Sequence, residues 1–261
     1  MYPDYVTSIA GFGVGIVVGM TGVGGGALMT PLLLLVFGVA PQTAVGTDLL
    51  FAAITKSVGA VSHSLKGTVD WIVVRRLLWG SIPASIVTLL LLHGKAVTKV
   101  EDTLIVNALG TALIVTSVAT LFKAKLHDLG RRLRIGAPSE FKRVQPILTI
   151  VAGAFLGTMV TLTSIGAGAL GAVILTYLYP LRLTPAKLVG TDIAHAIPLA
   201  LVAGAGYFAM GSIDFTLLGW LLLGSIPGIL VGAHLGSIVP DRYLRTMIAL
   251  VLLFVGARLL R

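Results

Sequence analysis

The chain has 261 residues, of which 56% are hydrophobic and only 11% charged, with a mean hydropathy of +1.01. That balance excludes a soluble domain, leaves too little chain outside a bilayer for a catalytic head, and identifies an all-α polytopic integral membrane protein. Cysteine is absent, which removes disulfides, thiolate nucleophiles and Cys metal sites, and the net charge of +9 is explained by basic loops at a membrane face without any nucleic-acid partner.

In chain order, apolar segments fall near 6–38, 41–63, 71–93, 100–122, 146–180, 185–210, 213–237 and 243–260. Met1–Thr7 carries no cationic stretch and does not read as a cleavable signal peptide. The first and fifth segments would make helices of roughly 50 Å, against a hydrocarbon core of about 30 Å. Glycine breaks both, at Gly22-Val23-Gly24-Gly25-Gly26 and at Gly166-Ala167-Gly168. Each is expected to be a hairpin of two short helices with a glycine turn at membrane depth.

Cation placement tests this expectation. The linker 123–145 holds Lys123, Lys125, Arg131, Arg132, Arg134, Lys142 and Arg143, and is assigned to the cytoplasm. With two hairpins, fourteen Lys and Arg fall on that side and four on the other, with Lys56 inside a span; with two single spans the division weakens to twelve and six.

The strongest internal signal is an ungapped self-match at an offset of 144 residues. It lays Val45-Gly46-Thr47-Asp48 on Val189-Gly190-Thr191-Asp192, Gly67 on Gly211, Asp70 on Asp214, and Gly80-Ser81-Ile82-Pro83 on Gly224-Ser225-Ile226-Pro227. Fourteen of the forty positions from 45 to 84 are identical, so one membrane unit is written twice. The expected organisation is a first repeat at 1–122, the basic linker at 123–145 and a second repeat at 146–261. Each repeat contains a glycine-broken hairpin and three transmembrane helices. That unit makes an odd number of crossings, so the repeats are inverted and place two half-sites face to face near the midplane.

These motifs resemble the TauE/SafE family of sulfite and organosulfur-anion exporters. The resemblance rests on the glycine series from Gly15 to Gly26, then Pro31, Ala44-Val45-Gly46-Thr47, Gly67-Thr68-Val69-Asp70-Trp71 and Gly80-Ser81-Ile82-Pro83, and it covers nearly the whole chain. It implies a multi-pass transporter of small sulfur-containing anions in the inner cell membrane, without a cofactor. Where the family pattern commonly has Ser or Asn after Gly-Thr, both copies here have Asp, a departure from a neutral anion pocket.

The residues point the same way independently. A glycine turn that opens a helix exposes unpaired N–H groups at the positive end of the helix dipole and can bind an oxyanion. Thr21, Gly22, Gly24, Gly25 and Gly26 in the first repeat, and Thr163, Ser164, Gly166 and Gly168 in the second, are the candidates. The competing reading is close helix packing by small residues, which is preferred for Gly11, Gly15 and Gly19. Asp48 and Asp192 are intramembrane acids that either carry a coupling proton or cap broken backbone, with Thr47 and Thr191 beside them. Lys56, eight residues beyond Asp48, is placed to pair with it or to offer positive charge to an anion. His195, three residues beyond Asp192, is a proton relay or a packing residue. Asp70 and Asp214 read as helix N-caps, and Pro83 and Pro227 as kinks. The function expected is alternating-access anion transport, with a passive anion channel as alternative. A Ser164–His195–Asp192 hydrolase is the remote third reading, and no metal site is indicated.

Overall fold

The computed structural model describes residues 4–21, 26–65, 67–93, 99–136, 138–235 and 241–260, and every regular element within them is a helix. In the first half these are α1 (Asp4–Thr21), α2 (Gly26–Leu35), α3 (Pro41–Leu65), α4 (Trp71–His93) and α5 (Lys99–Leu121). Next comes α6 (Lys123–Gly136), then α7 (Pro138–Thr163), α8 (Ala169–Leu178), α9 (Pro185–Ala209), α10 (Phe215–Leu235) and α11 (Asp241–Leu259). Five stretches, Trp71–His93, Thr103–Leu121, Phe141–Thr163, Pro185–Ala209 and Phe215–Leu235, are long and apolar enough to cross a membrane. Large apolar side chains such as Trp79, Leu230 and Phe254 point outward, as a lipid-facing surface requires.

Local chemistry sets the helix boundaries. Pro41 and Pro185 open α3 and α9, where the missing N–H costs nothing. Asp70 and Asp214 cap α4 and α10, accepting from the N–H of Val73 at 3.3 Å and of Leu217 at 2.9 Å. Gly67 and Gly211 precede those caps with φ of 62° and 69°, a left-handed turn that a side chain would strain. Pro83 and Pro227 lie inside α4 and α10.

The second hairpin forms, the turn of the first lies outside the described residues, and in both segments the two helices are unequal. The second limbs, α2 and α8, have 10 residues each, whereas the first limbs have 18 in α1 and 26 in α7. The glycines sit far along each segment, so the first limb is not the short helix expected. The Gln145 side chain of α7 donates to the Leu178 carbonyl at the end of α8 at 2.7 Å, so this hairpin returns to the side it entered. The basic stretch expected as a linker is helical in its described part: α6 packs on α8, and residues 138–145 are the first turns of α7.

Packing repeats across the two halves by exchange. Helix α1 lies on α10 and α7 on α4, while α3 pairs with α9 and α5 with α11. The crossings are glycine contacts. Gly11, Gly15 and Gly19 abut the backbone of Leu221, Ser225 and Ile229, and Gly153 and Gly157 abut that of Leu77 and Ser81. Reciprocally, Gly224 meets Ser8 and Gly80 meets Ile150. A Cβ at any of these positions would collide with backbone, so dispersion contacts between bare helices hold the pairs together. The same contacts show that α1 and α7 correspond at an offset of 142, not 144, since Gly11 matches Gly153 while Leu77 matches Leu221. Thr21 therefore corresponds to Thr163, Gly24 to Gly166 and Gly26 to Gly168.

Gly224→Val and Gly80→Val should each lower the melting temperature in detergent by an amount equivalent to about 1–3 kcal/mol of overpacking. Gly219→Val, where a Cβ meets nothing within 4 Å, should leave it unchanged, and equal effects at all three sites would refute the glycine-contact account. Because the chain has no cysteine, single cysteines can report sidedness. Cysteines replacing Lys142 and Lys187 should react with an impermeant maleimide from one side of sealed vesicles, and a cysteine replacing Ser212 from the other. Labelling of all three from one side would rule out the inverted arrangement.

Candidate functional site

The polar side chains singled out above meet where α3 and α9 cross beneath the second glycine turn. Thr47, Asp48, Thr163, Thr191 and His195 are fully buried, and Asp192, Ser164 and Lys56 nearly so. Burial of this much polarity is costly unless each group is partnered, so the partners define the site.

Thr47 and Thr191 perform one task twice. The Thr47 hydroxyl oxygen accepts from the backbone N–H of Asp214 at 3.1 Å, and that of Thr191 from the N–H of Asp70 at 3.0 Å. Each repeat thus satisfies the backbone at the start of the other's fourth helix. The neighbouring glycines, Gly46 and Gly190, lie against the Ser212 and Thr68 carbonyls and let these segments touch.

The aspartates are less alike. Asp48 accepts from Thr30 of α2 through Oδ2, and Ser164 of the opposite repeat stands beside it. Asp192 lies over Gly171 of α8, where a Cβ would strike Oδ1, and faces the backbone N–H of Gly168. At the 142 offset Gly171 corresponds to Met29, so one carboxylate has a hydroxyl partner from α2 and the other has bare backbone from α8.

Lys56 is the buried cation of the same core. Its ammonium donates to the Ala167 carbonyl at 2.7 Å, anchoring α3 to the second glycine turn, and it is electrostatically coupled to both Asp48 and Asp192. Among the described residues it makes no ion pair within 4.0 Å with either carboxylate, so the direct pairing with Asp48 expected from the sequence is not formed. His195 places Nε2 3.0 Å from Ser81 Oγ on α4. Ser164 does not engage His195, so the hydrolase constellation is not assembled.

The turn itself is well defined. Ser164 has φ 58°, Gly166 128° and Gly168 136°, and the Thr163 hydroxyl bonds the Ile165 N–H at 3.1 Å. A non-glycine residue in the left-handed region, as at Ser164, is the kind of local strain that collects at binding sites. Helix α8 then opens at Gly168 without a side-chain cap, and the Gly171 N–H of its first turn is taken by the Gly166 carbonyl at 2.8 Å. Gly22, Gly24 and Gly25 of the first turn lie outside the described residues, as do the side chains of Thr21 and His63, while Gly26 is described only as the first residue of α2.

Among the described residues, five buried side-chain atoms lack a hydrogen-bond partner within the protein: Asp48 Oδ1, Ser164 Oγ, Asp192 Oδ1, His195 Nδ1 and Thr116 Oγ1. The first four belong to this cluster. Sequence reasoning missed three of its supports. Ser81 lay within the repeated Gly-Ser-Ile-Pro motif and was legible as a candidate; Thr30, and the Thr161 that bonds Ser85 at 2.7 Å and Tyr207 through its carbonyl at 3.0 Å, carried no such signal.

Comparison with known proteins places this core. The chain is 40% identical to the probable membrane transporter protein YjnA of Bacillus subtilis (strain 168), over 97% of this chain and 98% of the relative. It is 29% identical to the probable membrane transporter protein YdhB of the same organism, over 95% and 97%. The probable membrane transporter protein YunE is 37% identical over 70 residues, 27% of this chain and 26% of that one. No solved structure matches. The family model described as sulfite exporter TauE/SafE matches residues 7–259. With that match running through both glycine turns and both aspartate helices, the chain belongs to the sulfite exporter TauE/SafE family.

Proposed function

We propose that this membrane transporter moves a small sulfur-containing oxyanion, sulfite or an organosulfonate, across the inner cell membrane by alternating access, coupled to protons. One observation carries the reading: Asp48 Oδ1, Ser164 Oγ, Asp192 Oδ1 and His195 Nδ1 are buried without a hydrogen-bond partner in the protein, in the core where the Lys56 ammonium meets the second glycine turn. Buried polar groups without partners are rare outside sites that engage a ligand.

The chemistry follows from charge. Lys56 and the N–H groups opening α8 attract an oxyanion, while Asp48 and Asp192 repel it when ionised. With one carboxylate protonated, the empty cluster is neutral. A monoanion then enters without net charge when the second carboxylate also takes a proton. Anion and proton thus travel together, and the sum of their gradients sets the direction, which is outward when the internal anion dominates. Asp48 with Thr30 and Ser164 forms one half-site; Asp192 with the Gly168 N–H forms the other. Lys56, about 12 Å along α3 from Asp48 by helix rise, serves both. Assigning the basic face to the cytoplasm puts the Asp192 half-site inward and the Asp48 half-site outward. Thr47 and Thr191 hold the frame within which these half-sites exchange access.

Labelled sulfite flux in proteoliposomes, with sulfoacetate and thiosulfate as competitors, tests this. A pH gradient should drive flux in the wild type, and Asp48→Asn/Asp192→Asn should lose at least about tenfold of it, or 1.4 kcal/mol. Flux indifferent to both gradient and substitution would indicate a passive channel and overturn coupling; no flux of any sulfur anion would remove the substrate.

Lys56→Met should raise the KM for the anion about tenfold or more while leaving competition among the three anions in the same order. An unchanged KM would assign Lys56 to the turn alone.

A further inference from the structure

A second cationic site lies away from the transport core, at the end of α8 opposite the glycine turn. A pocket of about 440 Å³ opens there between the first turns of α4, the beginning of α7 and the α8–α9 connection. Three cations line it, Arg76, Lys142 and Arg182, together with the apolar Phe141, Leu178 and Pro180. Its wall is built. Tyr179 is buried, and its hydroxyl accepts from Arg76 at 3.2 Å and lies 2.8 Å from Thr149 Oγ1. Arg182 grips Asp70 through Nε at 2.5 Å and Nη2 at 2.9 Å. Burial raises the Asp70 carboxyl, but the Arg182 fork and the Val73 N–H outweigh it and hold the group below its ordinary range, so this pair stays ionised at neutral pH. Even so, the two guanidiniums have ten N–H donors between them and these bonds use three.

The repeat supplies an internal control. The positions equivalent to Arg76 and Arg182 in the other half are Trp220 and Gly38. The duplicated fold therefore does not require cations here; one face alone carries them. All three are among the fourteen cations counted above on the basic side, Arg76 in the first turns of α4, Lys142 in those of α7 and Arg182 in the α8–α9 connection.

We propose that this pocket binds an acidic phospholipid, its phosphate held by Arg76, Lys142 and Arg182 and its acyl chains running along Phe141, Leu178 and Pro180. A soluble oxyanion would gain nothing from the apolar wall and a neutral lipid nothing from the cations; an acidic lipid satisfies both. The bound lipid ties α4, α7 and the end of α8 together. Because Asp70, held by Arg182, also donates its N–H to Thr191 beside Asp192, occupancy stiffens the support of the inner half-site.

The test is binding by the purified full-length protein in neutral detergent and involves no transport, so its outcome is separate from that of the flux experiments. Dioctanoyl phosphatidylglycerol should raise the melting temperature saturably, whereas dioctanoyl phosphatidylcholine and inorganic phosphate should not. Arg76→Gln/Lys142→Gln, which spares the Arg182–Asp70 pair but removes the Arg76–Tyr179 bond, should weaken the phosphatidylglycerol effect about thirtyfold, measured against the variant's own lipid-free melting temperature. Should the double variant fold poorly, Lys142→Glu alone supplies the same comparison. Equal stabilisation by phosphatidylcholine, stabilisation by phosphate alone, or an undiminished phosphatidylglycerol effect in the variants would each overturn the proposal.

Discussion

The structure depends on how one buried cation is held. Lys56 enters the membrane interior on α3, where an isolated ammonium is prohibitively costly. Its cost is offset by a hydrogen bond to a carbonyl from the opposite repeat's broken hairpin and by the longer-range field of two carboxylates, one from each half. Removing either side leaves the other with an unbalanced charge. The glycine turn, the aspartates and the α3–α9 crossing are therefore a single electrostatic unit, and the remaining helices position it. The Thr47 and Thr191 bonds extend the logic to the backbone, because in lipid each broken segment must find its partner inside the protein.

Much of this frame was legible in the chain because it is local or repeated. Pro41 and Pro185 mark helix starts, Asp70 and Asp214 mark caps, and the 144-residue self-match sets α3–α4 on α9–α10. What was not legible required knowledge of tertiary neighbours. The Lys56 ammonium bonds a carbonyl 111 residues away, and nothing in the spacing of Asp48 and Lys56 indicates that partner. The equivalence of Thr21 with Thr163 was hidden because the offset changes to 142 before α3, so an ungapped match cannot span the turn. The α6 helix was masked by its own charge: its arginines and lysines read as a solvated linker although the helix packs on α8.

The two hairpins also show why glycine is used differently along one segment. Gly11, Gly15 and Gly19 lie a helical turn apart on a face that meets α10, where the absence of Cβ sets interhelical distance. Gly166 and Gly168 instead adopt backbone that L side chains resist, and in doing so end α7 within the protein interior. Packing needs glycine at regular spacing, and a turn needs it in a cluster. That difference separates the two roles in the sequence itself.

Symmetry and its breaking have distinct physical jobs here. An inverted repeat gives two conformations of nearly equal energy, because exchanging the halves exchanges inward and outward access. A perfectly symmetric core would also duplicate its charge, and two lysines at the crossing would repel across a medium that screens poorly. This chain keeps duplicated what builds the frame: Thr47 with Thr191, Asp70 with Asp214, Gly80 with Gly224. It leaves single the cation and the imidazole at the centre, with Ala200 opposite Lys56 and Phe51 opposite His195. One cation in the field of two carboxylates, one from each half, can favour either half without belonging to it, which is the electrostatic condition that the proposed alternating access sets.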